Sequence, residues 1–150
     1  MRKLIITVFL FVSSMISNSN ADGHAIKMGI ILGFTGPIES LTPAMAASAE
    51  LAFKEASDSG SLLGGKYISV TRADSTCVDS AAAVTAAEGL VSGGTVAIMG
   101  ADCSGVTGAI AEKVAVPNGV VMISPSATSP GLTDINDRGY FFRTAPSDAR

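Results

Sequence analysis

The chain has 150 residues, 47% of them apolar, with 16 Gly and no Trp, which suits one compact α/β domain or most of one. The net charge is −3, and the basic residues are scattered apart from the extreme N-terminus. A nucleic-acid footprint needs a basic patch, so that class of partner is excluded.

The N-terminus is a separate object. Met1-Arg2-Lys3 is basic, Leu4 to Val12 is apolar except at Thr7, and Ser13 to Asn20 is polar except at Met15 and Ile16. Ser19-Asn20-Ala21 places small residues where a signal peptidase reads them, so residues 1–21 are expected to be a secretory signal peptide cut after Ala21. The alternative is a membrane anchor, but the apolar stretch is about half the ~20 residues that span a bilayer. Removing Arg2 and Lys3 leaves 8 basic against 13 acidic residues, a mature charge of −5. No later segment reads as transmembrane.

Lys27 to Gly33 is a short apolar run, expected to be a buried first strand, and Phe34-Thr35-Gly36-Pro37 a loop. Pro43 to Ser57 reads as a helix, with Thr42 as N-cap and Pro43 at the first helical position, where its missing N–H costs nothing. Met45, Ala49, Ala52, Phe53 and Ala56 fall on one face and are expected in the core. Asp58 to Gly65 is a turn. Tyr67 to Ala73 alternates, which suits a strand at a sheet edge. Asp79 or Ser80 caps an Ala-rich helix to about Val91, stopped by Ser92-Gly93-Gly94. A third strand (Val96 to Gly100), a helix from about Val106 to Val116 and a fourth strand (Val120 to Ile123) follow, then a fifth over Tyr140 to Arg143. Strands alternating with helices through short links demand a parallel sheet with right-handed crossovers. Pro146-Ser147-Asp148 reads as the start of a further helix, so a truncated chain is expected.

There are two cysteines, Cys77 and Cys103. In an exported chain an even pair suggests a disulfide, and each follows a strand on the same expected sheet edge. Such a bridge would contribute roughly 3–4 kcal/mol under the loop-entropy model. Two buried free thiols are the alternative. Zinc is disfavoured, because no further Cys lies nearby and the lone His24 sits beside the cleavage site.

In a parallel sheet the loops after successive strands converge on one edge, where ligands bind. Ser104 lies between a strand and a helix start, whose free N–H groups favour an anion such as a carboxylate. It is equally readable as a simple N-cap. Ser126 and Thr128 lie between Pro125 and Pro130, which fix the backbone and could present hydroxyl and carbonyl groups in one geometry. A rigid turn without a ligand is the alternative.

An enzyme reading also exists. Ala101-Asp102-Cys103-Ser104-Gly105 has the form of a nucleophile elbow, with Cys103 as nucleophile of a hydrolase. It lacks a general base, since the single histidine is outside the core. Gly29, Gly33 and Gly36 do not have dinucleotide-binding spacing, and no cofactor is expected.

Taken in order, several segments resemble the branched-chain amino-acid (Leu/Ile/Val) type of periplasmic binding protein, the solute receptors of ABC importers. These are Gly33-Phe34-Thr35-Gly36-Pro37, Ala73-Asp74-Ser75-Thr76-Cys77, Ile98-Met99-Gly100 through Cys103-Ser104, Ile123 to Thr133, and Phe142-Arg143-Thr144. The resemblance covers about Ile26 to Asp148 and implies the N-terminal lobe of two Rossmann-like lobes that close on a ligand. It implies a parallel sheet with helices on both faces, a lobe over 22–145 and the start of a second-lobe segment at 146–150. The family's disulfide falls on Cys77 and Cys103. Its carboxylate and ammonium contacts fall on Ser104, on Ser126 mainly by backbone, on Ala127 and on Thr128. Leu41 stands near a position that often carries an aromatic cover, and Phe142-Arg143-Thr144 resembles the first hinge crossing. The implied protein is a periplasmic monomer that binds an amino acid or small amide and passes it to a membrane permease. A sensing receptor of the same fold is the alternative.

Overall fold

The computed structural model describes residues 25–149, so the expected signal peptide and His24 lie outside the described residues. Five strands form one sheet: β1 (Ala25–Leu32), β2 (Tyr67–Asp74), β3 (Ala97–Gly100), β4 (Val121–Ser124) and β5 (Phe141–Arg143). Their order is β2-β1-β3-β4-β5 and every pairing is parallel. Three α-helices connect them: α1 (Thr42–Asp58), α2 (Ser80–Ser92) and α3 (Ser104–Ile110), the last running on into a π turn over Ala111–Ala115.

Strand burial follows position in the sheet. Ile30, Ile31 and Leu32 at the end of β1 are all fully buried, because helices cover both faces of this inner strand. β2 lies at the sheet edge and alternates in exposure, as its sequence pattern implies. On one face, Ile30 and Leu32 pack with Ala46, Met45, Ala49 and Phe53 of α1. On the other, Ile31, Ile98 and Met122 pack with Ala83, Ala87 and Leu90 of α2 and with Val106, Ile110 and Val114. The expected α/β sandwich of helices on both faces is therefore present. Side chains alternate along a strand, which puts Ile123 and Phe142 on the α1 side, where they are 42% and 52% exposed. Helix α1 does not reach across β4 and β5. Among the described residues no helix is long and apolar enough to cross a membrane.

Four details depart from the sequence reading. Thr42 is the first helical residue, and its hydroxyl donates to Gly33 O at 3.0 Å, so it ties the helix to β1 instead of capping it. Ala52 faces solvent, and Ala46 takes the core position. Helix α3 begins two residues early, at Ser104. Residues 146–149 form no helical turn; instead the Asp148 N–H donates back to Thr128 O at 2.9 Å. The Asp79 cap is as expected, with Oδ1 accepting from Ala81 N and Ala82 N at 2.9 and 3.0 Å.

The register brings the strand ends together. Leu32 stands beside Asp74, Ile31 beside Gly100, Met99 beside Ile123 and Ser124 beside Arg143. The loops that follow β1, β2, β3 and β4 therefore open on one edge. The strand order reverses between β1 and β3, the place where open α/β sheets form a crevice.

Candidate functional site

At this edge lies a layer of buried polar residues: Thr42, Ser75, Asp102, Thr107 and Ser124. Burying such groups is costly unless they are hydrogen-bonded. Among the described residues, every buried side-chain nitrogen or oxygen has a partner.

Asp102 is the centre of that layer. It is 4% exposed. Its Oδ2 accepts the Gly33 N–H at 2.8 Å, and its Oδ1 accepts the Cys103 N–H at 2.9 Å and the Ser75 hydroxyl at 3.4 Å. One carboxylate thus joins the loops after β1, β2 and β3. Sequence reasoning passed over it as a member of the supposed elbow. The available signal was an acidic residue directly after an apolar strand, where only internal partners could satisfy it.

The loops after β1 and β2 are joined a second time. Asp74 accepts from Thr35 Oγ1 at 2.6 Å, from Thr76 N at 2.8 Å and from Thr35 N at 3.3 Å. Burial pushes the Asp74 carboxyl up, but the hydrogen bonds from Thr35 and from backbone amides outweigh it and hold the group below the ordinary carboxylate value. Gly36, at φ +95°, touches the same turn: a Cβ there would lie 2.4 Å from Thr76 O. Arg72 adds an outer brace. It grips Glu50 of α1 through two bonds of 2.6 and 2.7 Å, and its guanidinium lies 5.5 Å from the Phe34 ring centre. That hydrogen-bonded guanidinium holds the Glu50 carboxyl below its usual value.

Cys77 and Cys103 are bonded, with Cα atoms 5.2 Å apart. The bridge ties the loop after β2 to the start of α3. It also removes the Cys103 nucleophile: no free thiol exists among the described residues, so the hydrolase reading fails.

The loops after β3 and β4 are laced together by hydroxyls. Ser124 Oγ donates to Ala101 O and accepts the Ala127 N–H at 3.0 Å. Ser126 Oγ donates to Asp102 O at 3.0 Å. Ser104 Oγ accepts the Thr128 and Ser129 N–H groups, both at 3.1 Å. Ser104 is therefore not an N-cap. Cys103 holds that position, and the Ser104 hydroxyl reaches across to the neighbouring loop. With both acceptor sites used, its own proton remains to donate outward.

The candidate residues consequently meet at one corner. Ser104 and Thr128 are half-buried there, and among the described residues Thr128 Oγ1 has no hydrogen-bond partner. The Ser126 N–H and C=O are likewise unengaged among the described residues. Ala127 is in the same corner, but its methyl is fully buried, its N–H is held by Ser124 and its carbonyl lies 3.5 Å from the Arg143 guanidinium. Its part is to fix the loop by packing. Leu41 stands at the head of α1 as its N-cap residue, 60% exposed, and among the described residues no hydrogen bond joins it to the corner. The corner offers hydroxyl donors, the open N–H and C=O of Ser126 and the first-turn N–H groups of α3, a set that suits a small ligand bearing a carboxylate.

Comparison with known proteins gives a consistent picture. A family model described as periplasmic binding protein matches residues 25–150. The chain is 30% identical over 151 residues to the leucine-specific-binding protein of Salmonella typhimurium, covering 99% of this chain and 39% of that protein. It is 32% identical over 111 residues to the Leu/Ile/Val-binding protein BraC3 of Rhizobium johnstonii, covering 73% of this chain and 29% of that protein. Among solved structures, it is similar to the branched-chain amino acid transporter substrate binding protein LivJ from Streptococcus pneumoniae in complex with isoleucine. There the TM-score is 0.73 and the identity 32%, over 83% of this chain and 34% of that one. The chain thus spans less than two-fifths of the length of these relatives.

Proposed function

Because the chain belongs to the periplasmic binding protein family, we propose that it is the ligand-binding N-terminal lobe of an exported solute receptor for an α-amino acid of the branched-chain type. In this reading residues 1–21 direct export and are removed, 22–145 form the lobe with its first hinge crossing over Phe142-Arg143-Thr144, and 146–150 begin a second-lobe segment. The monomeric receptor delivers its ligand to an ABC permease and performs no covalent chemistry.

The observation that carries the reading is the Ser104 hydroxyl, which holds the Thr128 and Ser129 amides and keeps its proton for a further acceptor. A ligand carboxylate set against that hydroxyl and Thr128 Oγ1 would accept charge-assisted hydrogen bonds, which are stronger than neutral ones and offset the loss of its hydration. The open Ser126 carbonyl could accept from the ligand ammonium. Leu41, at the head of α1, would cover the ligand side chain.

The test is calorimetric titration of the full-length polypeptide with L-leucine. Ser104→Ala and Thr128→Ala should each weaken binding about tenfold, the scale of a hydrogen bond to a charged group. Unchanged affinity in both variants would remove the site. A small amide such as acetamide and an aromatic acid such as benzoate, titrated alongside, define the ligand class.

A further inference from the structure

The loop that carries Thr128 is held from below as well as from the side. β5 and the residues after it donate to nearly all of its carbonyls. Thr144 N donates to Ser124 O at 3.0 Å and Thr144 Oγ1 to Pro125 O at 3.1 Å. Asp148 N donates to Thr128 O at 2.9 Å. Arg143 Nη1 donates to Ser129 O at 2.8 Å and lies 3.5 Å from Ala127 O, and Arg143 Nη2 donates to Thr133 Oγ1 at 2.6 Å. From Ser124 to Ser129, the one carbonyl without a donor among the described residues is that of Ser126.

We propose that Arg143 is a positioning residue for ligand recognition: its guanidinium, with Thr144 and the Asp148 amide, clamps the 124–129 loop so that the Thr128 hydroxyl and the Ser126 N–H and C=O present one fixed geometry. This rests on the reading of that corner as an amino-acid site. The planar, permanently charged fork of an arginine can hold a backbone carbonyl and the Thr133 hydroxyl at once. A lysine is a single point charge and can satisfy only part of that set. A loop held in its binding geometry before the ligand arrives loses less freedom on binding, and that is where the affinity comes from.

The test is a double-mutant cycle by calorimetry with L-leucine on the full-length polypeptide. Arg143→Lys should weaken binding about tenfold with the melting temperature within about 2 °C of wild type. On a Thr128→Ala background the same change should cost only about twofold, because the group it positions is gone. An equal penalty on both backgrounds, or no penalty on the wild type, overturns the proposal. Should Arg143→Lys fail to fold, Thr144→Val replaces it in the same cycle, with an expected loss of about threefold. Amide exchange separates this inference from the functional reading. If wild type binds no α-amino acid, that reading fails, while Arg143→Lys should still make the Thr128 and Ser129 N–H groups exchange about tenfold faster. Unchanged exchange sinks the clamp.

Discussion

The Asp102 carboxylate accepts the Gly33 N–H at 2.8 Å across 69 positions of sequence, which locks the end of β1 to the end of β3 at the point where the strand order reverses. The bond is buried, so its loss cannot be repaired by water. Asp102→Ala would leave the Gly33 and Cys103 N–H groups without their acceptor. The expected loss is about 3 kcal/mol in a urea titration, since each stranded buried donor costs about 1–3 kcal/mol. Asp102→Asn, which keeps the shape and one acceptor oxygen, should lose about half as much. A loss below about 1 kcal/mol for the alanine variant would show that the network does not hold the edge.

The Cys77–Cys103 bridge closes a separation of 26 residues. The double replacement Cys77→Ala/Cys103→Ala should lower stability by about 3 kcal/mol, chiefly by freeing the unfolded chain. Thiol labelling of the unreduced, denatured protein should find no reactive cysteine. Labelling of both would contradict the bridge.

Two glycine replacements should move stability in opposite directions. Gly89 lies inside α2 with open space around its Cα, so Gly89→Ala should stabilise by about 0.5–1 kcal/mol through helix propensity. Gly100 has φ +130°, and a Cβ there would lie 2.0 Å from Ile31 O. Gly100→Ala must push β3 away from β1, with an expected loss of about 4 kcal/mol or more. Thermal melts of the pair check both signs.

Asp74 makes stability depend on acidity. Its folded-state pKa lies below the ordinary value of 3.8, so the unfolded chain binds the proton more readily. The contribution is complete above that value and is lost as pH falls through it toward the folded-state pKa. Melting temperatures between pH 5 and 2.5 should therefore drop for wild type. Thr35→Val, which deletes the hydroxyl donor 2.6 Å from the carboxylate, should show a shallower drop. Identical slopes would mean that the threonine does not set this dependence.

Much of the architecture was legible in the chain. Short apolar runs punctuated by Gly and Pro marked the strands, and the Asp79 cap and the Gly93-Gly94 stop bounded α2 because those signals act within a few residues. The start of α3 was obscured because Ser104 and Gly105 are weak helix formers. Their helical conformation is supported by the neighbouring disulfide and by the Ser104 bridge to residues 128 and 129. Thr42 misled for a related reason, since its buried hydroxyl found Gly33 O nine residues back in preference to its own helix. At the candidate site, the hydroxyl residues could be picked out because loop position and composition marked them. Asp102 carried only a partial signal, an acidic residue directly after an apolar strand, and Arg143 stood only within the hinge-like segment; their partners come close only in the folded sheet.

Leu41 occupies a different kind of position from its neighbours. It lies outside both apolar cores, and its side chain caps nothing. Thr42 beside it anchors the helix, while Asp102 and the disulfide hold the rim. Residue 41 can therefore be rewritten at little cost to folding, which on the proposed reading of the site would let a lineage change its diet of solutes while the machinery beneath stays as it is.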